Sequence, residues 1–114
     1  YFELDEMIEF AHERGIEVVL EVHSREELER AMDTEANIIG VNNRDLRTME
    51  TNIYNTLEIL KDFNSKKPIL SESGFRRRED VLKVKKLVDG ILVGTTLMVS
   101  RNLEDKLREL SLCG

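Results

Sequence analysis

Short apolar runs alternate along this chain with stretches in which apolar residues return every three or four positions. The runs are Val18-Val19-Leu20, Ile38-Ile39-Gly40-Val41, Ile69-Leu70 and Ile91-Leu92-Val93. Bounded by polar and turn-forming residues, they predict strands covered on both faces, the habit of parallel sheets. The stretches between them predict amphipathic helices. Leu4, Met7, Ile8 and Ala11 form the first stripe, Leu28, Ala31 and Met32 the second, and Ile53, Leu57 and Leu60 the third. Val81, Leu82, Val84, Leu87 and Val88 form the fourth, and Leu103, Leu107 and Leu110 the last.

The predicted order is α-β-α-β-α-β-α-β-α, joined by loops of a few residues, with no linker or low-complexity tract. One domain over 1–114 is expected, its four strands set parallel by right-handed crossovers. The strands are predicted at Glu17–Val22, at Ile38–Val41, from Pro68 to Ser73-Gly74, and from Asp89-Gly90 to Gly94. Gly15 is placed as a left-handed C′ residue ending the first helix. Ser24-Arg25-Glu26-Glu27 reads as a capping box, and Phe63 packs at the end of the third helix.

The polar residues gather where the strands end. Glu21 interrupts an apolar strand. It is either half of a strand-end ion pair or a carboxylate facing a polar cavity as proton acceptor or charge stabiliser. Asn42-Asn43-Arg44-Asp45 follows the second strand. Asn42 and Arg44 could orient a substrate, and the same four residues could simply bond their own backbone in a turn. Ser71-Glu72-Ser73-Gly74 and Gly94-Thr95-Thr96 each pair glycine with hydroxyls at a strand end. Two such loops on the last two strands match the usual phosphate site of an eight-stranded barrel.

Composition narrows this picture. A formal net charge of -6 over 114 residues speaks against a general nucleic-acid binder. No apolar run approaches membrane-spanning length, so no membrane partner is expected. The single Cys113 cannot form an internal disulfide, which fits a reducing cytoplasm. His12 reads as a surface residue, and His23 lies near Glu21 without a second ligand at metal spacing, so no metal is expected. Arg76-Arg77-Arg78 reads as a solvated surface offset by Glu79 and Asp80.

Together, Leu20-Glu21-Val22-His23, Ile39-Gly40-Val41-Asn42-Asn43-Arg44-Asp45-Leu46, Ser71-Glu72-Ser73-Gly74 and Leu92-Val93-Gly94-Thr95-Thr96-Leu97-Met98 resemble the C-terminal half of indole-3-glycerol phosphate synthase, from the first helix to about Leu110. The resemblance implies half of a TIM (βα)8 barrel, strands five to eight. It implies the lyase reaction of tryptophan biosynthesis: decarboxylating ring closure of 1-(2-carboxyphenylamino)-1-deoxyribulose 5-phosphate to indole-3-glycerol phosphate. Carbon dioxide and water leave, and no cofactor is used. By resemblance, Glu21 is the strand-five acid/base group and Asn42 and Arg44 orient substrate. Ser73, Gly74, Gly94 and Thr95 bind its phosphate, or a free phosphate or sulfate ion. Glu72 belongs to the matched motif, and strand alternation leaves its side chain assigned to the outer layer.

The family's catalytic lysines and a further glutamate lie in the N-terminal half of its barrel, and nothing here matches them. A barrel of this class needs about 250 residues. The expectation is a fragment with little or no turnover that self-associates through its open sheet edges. Two alternatives stand beside it. One is half of another phosphate-binding barrel such as phosphoribosylanthranilate isomerase. The other is an inert, self-assembling half-barrel module.

Overall fold

Helix and strand alternate as the apolar pattern predicts. A computed structural model of the chain describes residues 2–94 and 102–111. Its elements are α1 (Phe2–Glu13), β1 (Val19–Val22), α2 (Arg25–Met32), β2 (Ile38–Asn42), α3 (Tyr54–Leu60), β3 (Ile69–Glu72), α4 (Arg78–Val84), β4 (Gly90–Leu92) and α5 (Leu103–Leu110). β1 starts later than expected and β4 ends before Gly94. The connection from β2 to α3, residues 43–53, is longer than a few residues and folds back on itself through an antiparallel bridge between Arg44 and Thr51. Thr95, Thr96, Leu97-Met98 and Cys113 lie outside the described residues.

The helix ends follow local chemistry. Gly15 takes φ 71° after α1, the left-handed turn that a residue without a Cβ adopts freely. Ser24 caps α2, its hydroxyl accepting from Glu27 N at 3.1 Å. Glu27 reaches past the cap and accepts from His23 N at 2.6 Å, so only the serine half of the predicted box forms as written. Phe63 packs against the core near the end of α3. The basic run is more than a solvated surface. Arg78 donates to the carbonyls of Arg108 (3.1 Å), Glu109 (3.1 Å) and Ser111 (3.3 Å), binding α4 to the C-terminal end of α5.

The four strands lie side by side in chain order, and every pairing is parallel. Burial separates the two faces of the sheet. Leu20, Val22, Ile39, Val41, Ile69, Ser71 and Ile91 point toward the helices. Of these, Val22, Ile39, Val41, Ile69 and Ser71 are buried, alongside Leu28, Ala31, Ile59 and Leu60 of α2 and α3. A second cluster of Ile53, Phe75, Val81, Val84 and Leu110 continues the core toward β4. The opposite face carries Val19, Glu21, Ile38, Gly40, Asn42, Leu70, Glu72, Gly90 and Leu92. On it Val19 is 49% and Leu92 57% exposed. A sheet in sequential parallel order with its core on one side only is the architecture of half a TIM barrel, and the open face corresponds to the barrel interior.

At the strands' starting ends, polar side chains join neighbouring loops. Val18 N donates to Asn37 Oδ1 at 2.7 Å, and Ile69 N to Asp89 Oδ2 at 2.8 Å. Lys67 Nζ donates to the carbonyls of Thr34 and Ala36. His12 belongs to this end too. It is half-buried, and its Nε2 hydrogen-bonds Asn37 Oδ1 at 2.8 Å rather than standing free on the surface.

Candidate functional site

Parallel register brings the inner-face polar residues together at the strands' C-terminal ends. Glu21 lies opposite Gly40, and Asn42 opposite Glu72. Asn42 Nδ2 donates to Glu21 Oε1, and the Glu72 carboxyl group lies near enough for the Glu21 carboxylate to act on it. The Glu72 side chain therefore faces the interior, not the outer layer, and is 8% exposed. Gly40 makes room for it, since a Cβ at that position would collide with the Glu72 carboxylate. Glu21 has no cation within ion-pair distance among the described residues. Its neighbours are an amide and a second carboxyl group, so no strand-end ion pair forms among the described residues.

Burial raises the Glu72 pKa above the ordinary glutamate value, and the neighbouring Glu21 carboxylate raises it further, while His23 opposes the shift. Glu72 consequently keeps its proton to higher pH than an exposed glutamate. His23 stands at the rim with Nδ1 3.7 Å from Glu27 Oε1 and a buried Nε2 that has no hydrogen-bond partner among the described residues.

Asn42 also connects this cluster to the loop beyond. Its Oδ1 accepts from Arg44 N at 2.9 Å, and Asp45 Oδ1 accepts from Arg47 N at 2.8 Å, so the local turn anticipated for this segment is present. The turn does not consume Arg44. Its guanidinium donates to Met49 O at 2.9 Å and lines a cavity of about 430 Å³ together with Ser73, Gly74, Phe75, Leu92 and Gly94. Ser73 and Gly74 leave β3 with φ 73° and 89°, both in the left-handed region. Arg44, Ser73, Gly74 and Gly94 are thus brought to one cavity, and Glu21 and Asn42 to the adjoining carboxyl cluster. Thr95 lies outside the described residues. A larger hollow of about 740 Å³ opens over the β2–α3 loop beside His23, Asn52 and Asn55.

Two features escaped sequence reasoning. One is the inward position of Glu72. The other is a neutral network on the outer face built on Asn43, which is 3% exposed. Asn43 Nδ2 donates to Ser71 Oγ at 2.9 Å and to Ser73 O at 3.1 Å. Its Oδ1 accepts from Thr56 N at 3.1 Å and from Thr56 Oγ1 at 2.8 Å. Thr56 Oγ1 and Ser71 Oγ are 2.6 Å apart. The Asn43 backbone donates to Glu72 O at 2.8 Å and accepts from Asn52 N at 2.9 Å. Every donor and acceptor of this buried residue is engaged, the condition under which a buried amide is tolerated. The available signal was the alternation counted outward from Ile69, which puts Ser71 on the core side and Glu72 on the other.

Among the described residues no three His, Cys, Asp or Glu side chains converge on a point where a metal could bind. None of the described helices is long and apolar enough to cross a membrane.

A family model described as indole-3-glycerol phosphate synthase matches residues 2–110. Curated relatives bearing the same name agree with it. The chain is 44% identical over 112 residues to the protein of Aquifex aeolicus, covering 95% of this chain and 43% of the relative. It is 43% identical over 96 residues to that of Acetivibrio thermocellus, covering 83% of this chain and 37% of the relative. To that of Methanopyrus kandleri it is 40% identical over 111 residues, covering 95% and 43%. The chain spans less than half the length of these relatives.

Proposed function

Since this chain belongs to the indole-3-glycerol phosphate synthase family, we propose that it forms the C-terminal, phosphate-binding half of the barrel that carries out the family's decarboxylating ring closure. The observation that carries the reading is the junction at Asn42. Its amide is hydrogen-bonded to Glu21, within the carboxyl cluster, while its carbonyl oxygen holds the backbone of Arg44, which lines the cavity with Ser73, Gly74 and Gly94. A phosphorylated substrate would place its phosphate in that cavity. Left-handed residues at a strand end can turn backbone amides toward an anion, and the Arg44 guanidinium adds charge. The sugar carbons would then extend along the inner face toward Glu21 and Glu72.

Two neighbouring carboxyl groups, one of them holding its proton to higher pH than an ordinary glutamate, suit the chemistry. Loss of water after ring closure needs a proton delivered to the departing hydroxyl, and loss of a ring proton needs an acceptor. Glu72, which holds its proton to higher pH, is the donor in this reading. Glu21 is the acid/base partner and Asn42 orients it. Thr95 would complete the phosphate site.

The residues spanned here supply one wall of the reaction chamber, so the chain alone is proposed to turn over little or not at all. Its open face and edge strands suit association with the other half of such a barrel or with a second copy. The test is complementation. The N-terminal half of the Aquifex aeolicus relative is co-expressed with this chain, and indole-3-glycerol phosphate is followed by its indole fluorescence. Product is expected from the mixture, from neither half alone, and from a Glu21→Gln mixture only at a rate reduced at least a hundredfold. A stable complex that makes no product would overturn the proposal.

A further inference from the structure

We propose that Asn43 is a positioning residue for the anion cavity. Resting on the phosphate reading above, it holds the Ser73–Gly74 turn in the left-handed conformation that shapes that cavity. Ser73 adopts φ 73°, a region L-residues other than Gly, Asn and Asp largely avoid, so something must hold it there. Its own N–H offers little, because the bond from Ser73 N to Leu92 O is long at 3.4 Å. The carbonyl side is firmer, gripped by Asn43 Nδ2 at 3.1 Å. Asn43 is itself fixed from four directions, by Ser71, Thr56, Glu72 O and Asn52 N. Packing completes the hold. A Cβ on Gly74 would lie 3.2 Å from Ile53 Cγ2 and 3.4 Å from Thr51 Cβ, so the turn rests directly on the loop that Asn43 begins. The end of β2 therefore dictates the backbone at the end of β3.

Asn43→Asp isolates this role. The new carboxylate is nearly isosteric and still accepts from Thr56. Ser71 Oγ carries a proton and can donate to it, whereas Ser73 O carries none and is repelled. Ser73→Gly removes the reason a grip is needed, because glycine takes positive φ freely.

The chain and its variants are titrated with inorganic phosphate while backbone chemical shifts report φ at residues 73 and 74. On this proposal Asn43→Asp moves residue 73 out of the left-handed region and weakens phosphate binding roughly fivefold or more, the scale of one net hydrogen bond. In the Ser73→Gly background the same substitution changes binding less than about twofold. Unchanged shifts at residues 73 and 74, or an equal loss in both backgrounds, would overturn it. Should Asn43→Asp alone fail to fold, Ser73→Gly restores folding on this proposal, and an equally unfolded double variant refutes it. If the unsubstituted chain does not bind phosphate, the phosphate reading fails, and the shifts at residues 73 and 74 still decide whether Asn43 holds the turn.

Discussion

Asn42 and Asn43 are consecutive, as are Ser71 and Glu72, yet each pair splits between two clusters on opposite faces of one sheet. The outer cluster of Asn43, Ser71 and Thr56 is neutral, and Asn43 within it is saturated with hydrogen bonds. The inner cluster of Asn42, Glu21 and Glu72 sets two carboxyl groups against each other with a single amide between the strands. The same strands, at the same depth, thus carry a polar group that stabilises and a polar group that is held under tension. Saturated buried amides specify structure. Like charges brought together cost stability and yield a proton held at an unusual pH.

Thr56→Val strikes the outer cluster hardest. It leaves Asn43 Oδ1 and Ser71 Oγ short of a partner in a fully buried site, and a loss of about 2 kcal/mol is expected in urea melts. A loss well under 0.5 kcal/mol would erase the distinction between the clusters. Glu72→Gln works in the opposite direction. It removes the strained carboxyl and should raise stability at neutral pH, by less than Thr56→Val lowers it, while abolishing turnover in the complemented barrel.

The pH dependence sharpens that point. The folded chain holds the Glu72 proton more tightly than the unfolded chain does, with an ordinary value of 4.5. The stabilisation from this proton is complete below that value and is lost as pH rises through the raised folded value. The stability difference between Glu72→Gln and the unsubstituted chain should therefore widen from pH 4.5 upward and then level off. A flat difference across that range would show that the pair is not under tension. Leu92→Ser carries the smallest expected effect, within about 0.5 kcal/mol in dilute solution, because that face is open. If copies associate through the open face, the same substitution instead weakens the concentration dependence of the melt, which sedimentation can follow.

Much of this organisation was legible in the residues. The four apolar runs located the strands because each is buried by helices at spacing the sequence displays. The polar ends were legible as well, since Glu21, Asn42 and Arg44 sit where strands give way to loops. Less visible was which side each polar residue takes. Ser71 occupies a core position, and a serine there is stable only because Thr56 and Asn43 satisfy it. Those partners lie far away in sequence, and no local pattern announces them. Without them, Ser71 reads as the polar face and Glu72 is pushed to the wrong side. The length of the 43–53 connection was hidden for a similar reason. Its fold depends on the Arg44–Thr51 bridge and on the side-chain clasp of Asn43, not on apolar periodicity.

The clasps at the opposite end of the sheet have a consequence of their own. Asn37, Asp89 and Lys67 each tie one connection to its neighbour where the strands begin. Strand alignment is thereby decided at the floor of the molecule, one full strand length from the rim. The outermost parts of the rim loops can then be lengthened or regrafted without the strands slipping past one another, while the contacts of Asn43, Thr51 and Ile53 with the end of β3 stay in place. For a designer, the tip of the 43–53 segment, residues 46–48, is accordingly the place to insert new recognition, provided Asn43, Arg44 and the Thr51–Ile53 return that supports the Ser73–Gly74 turn are kept.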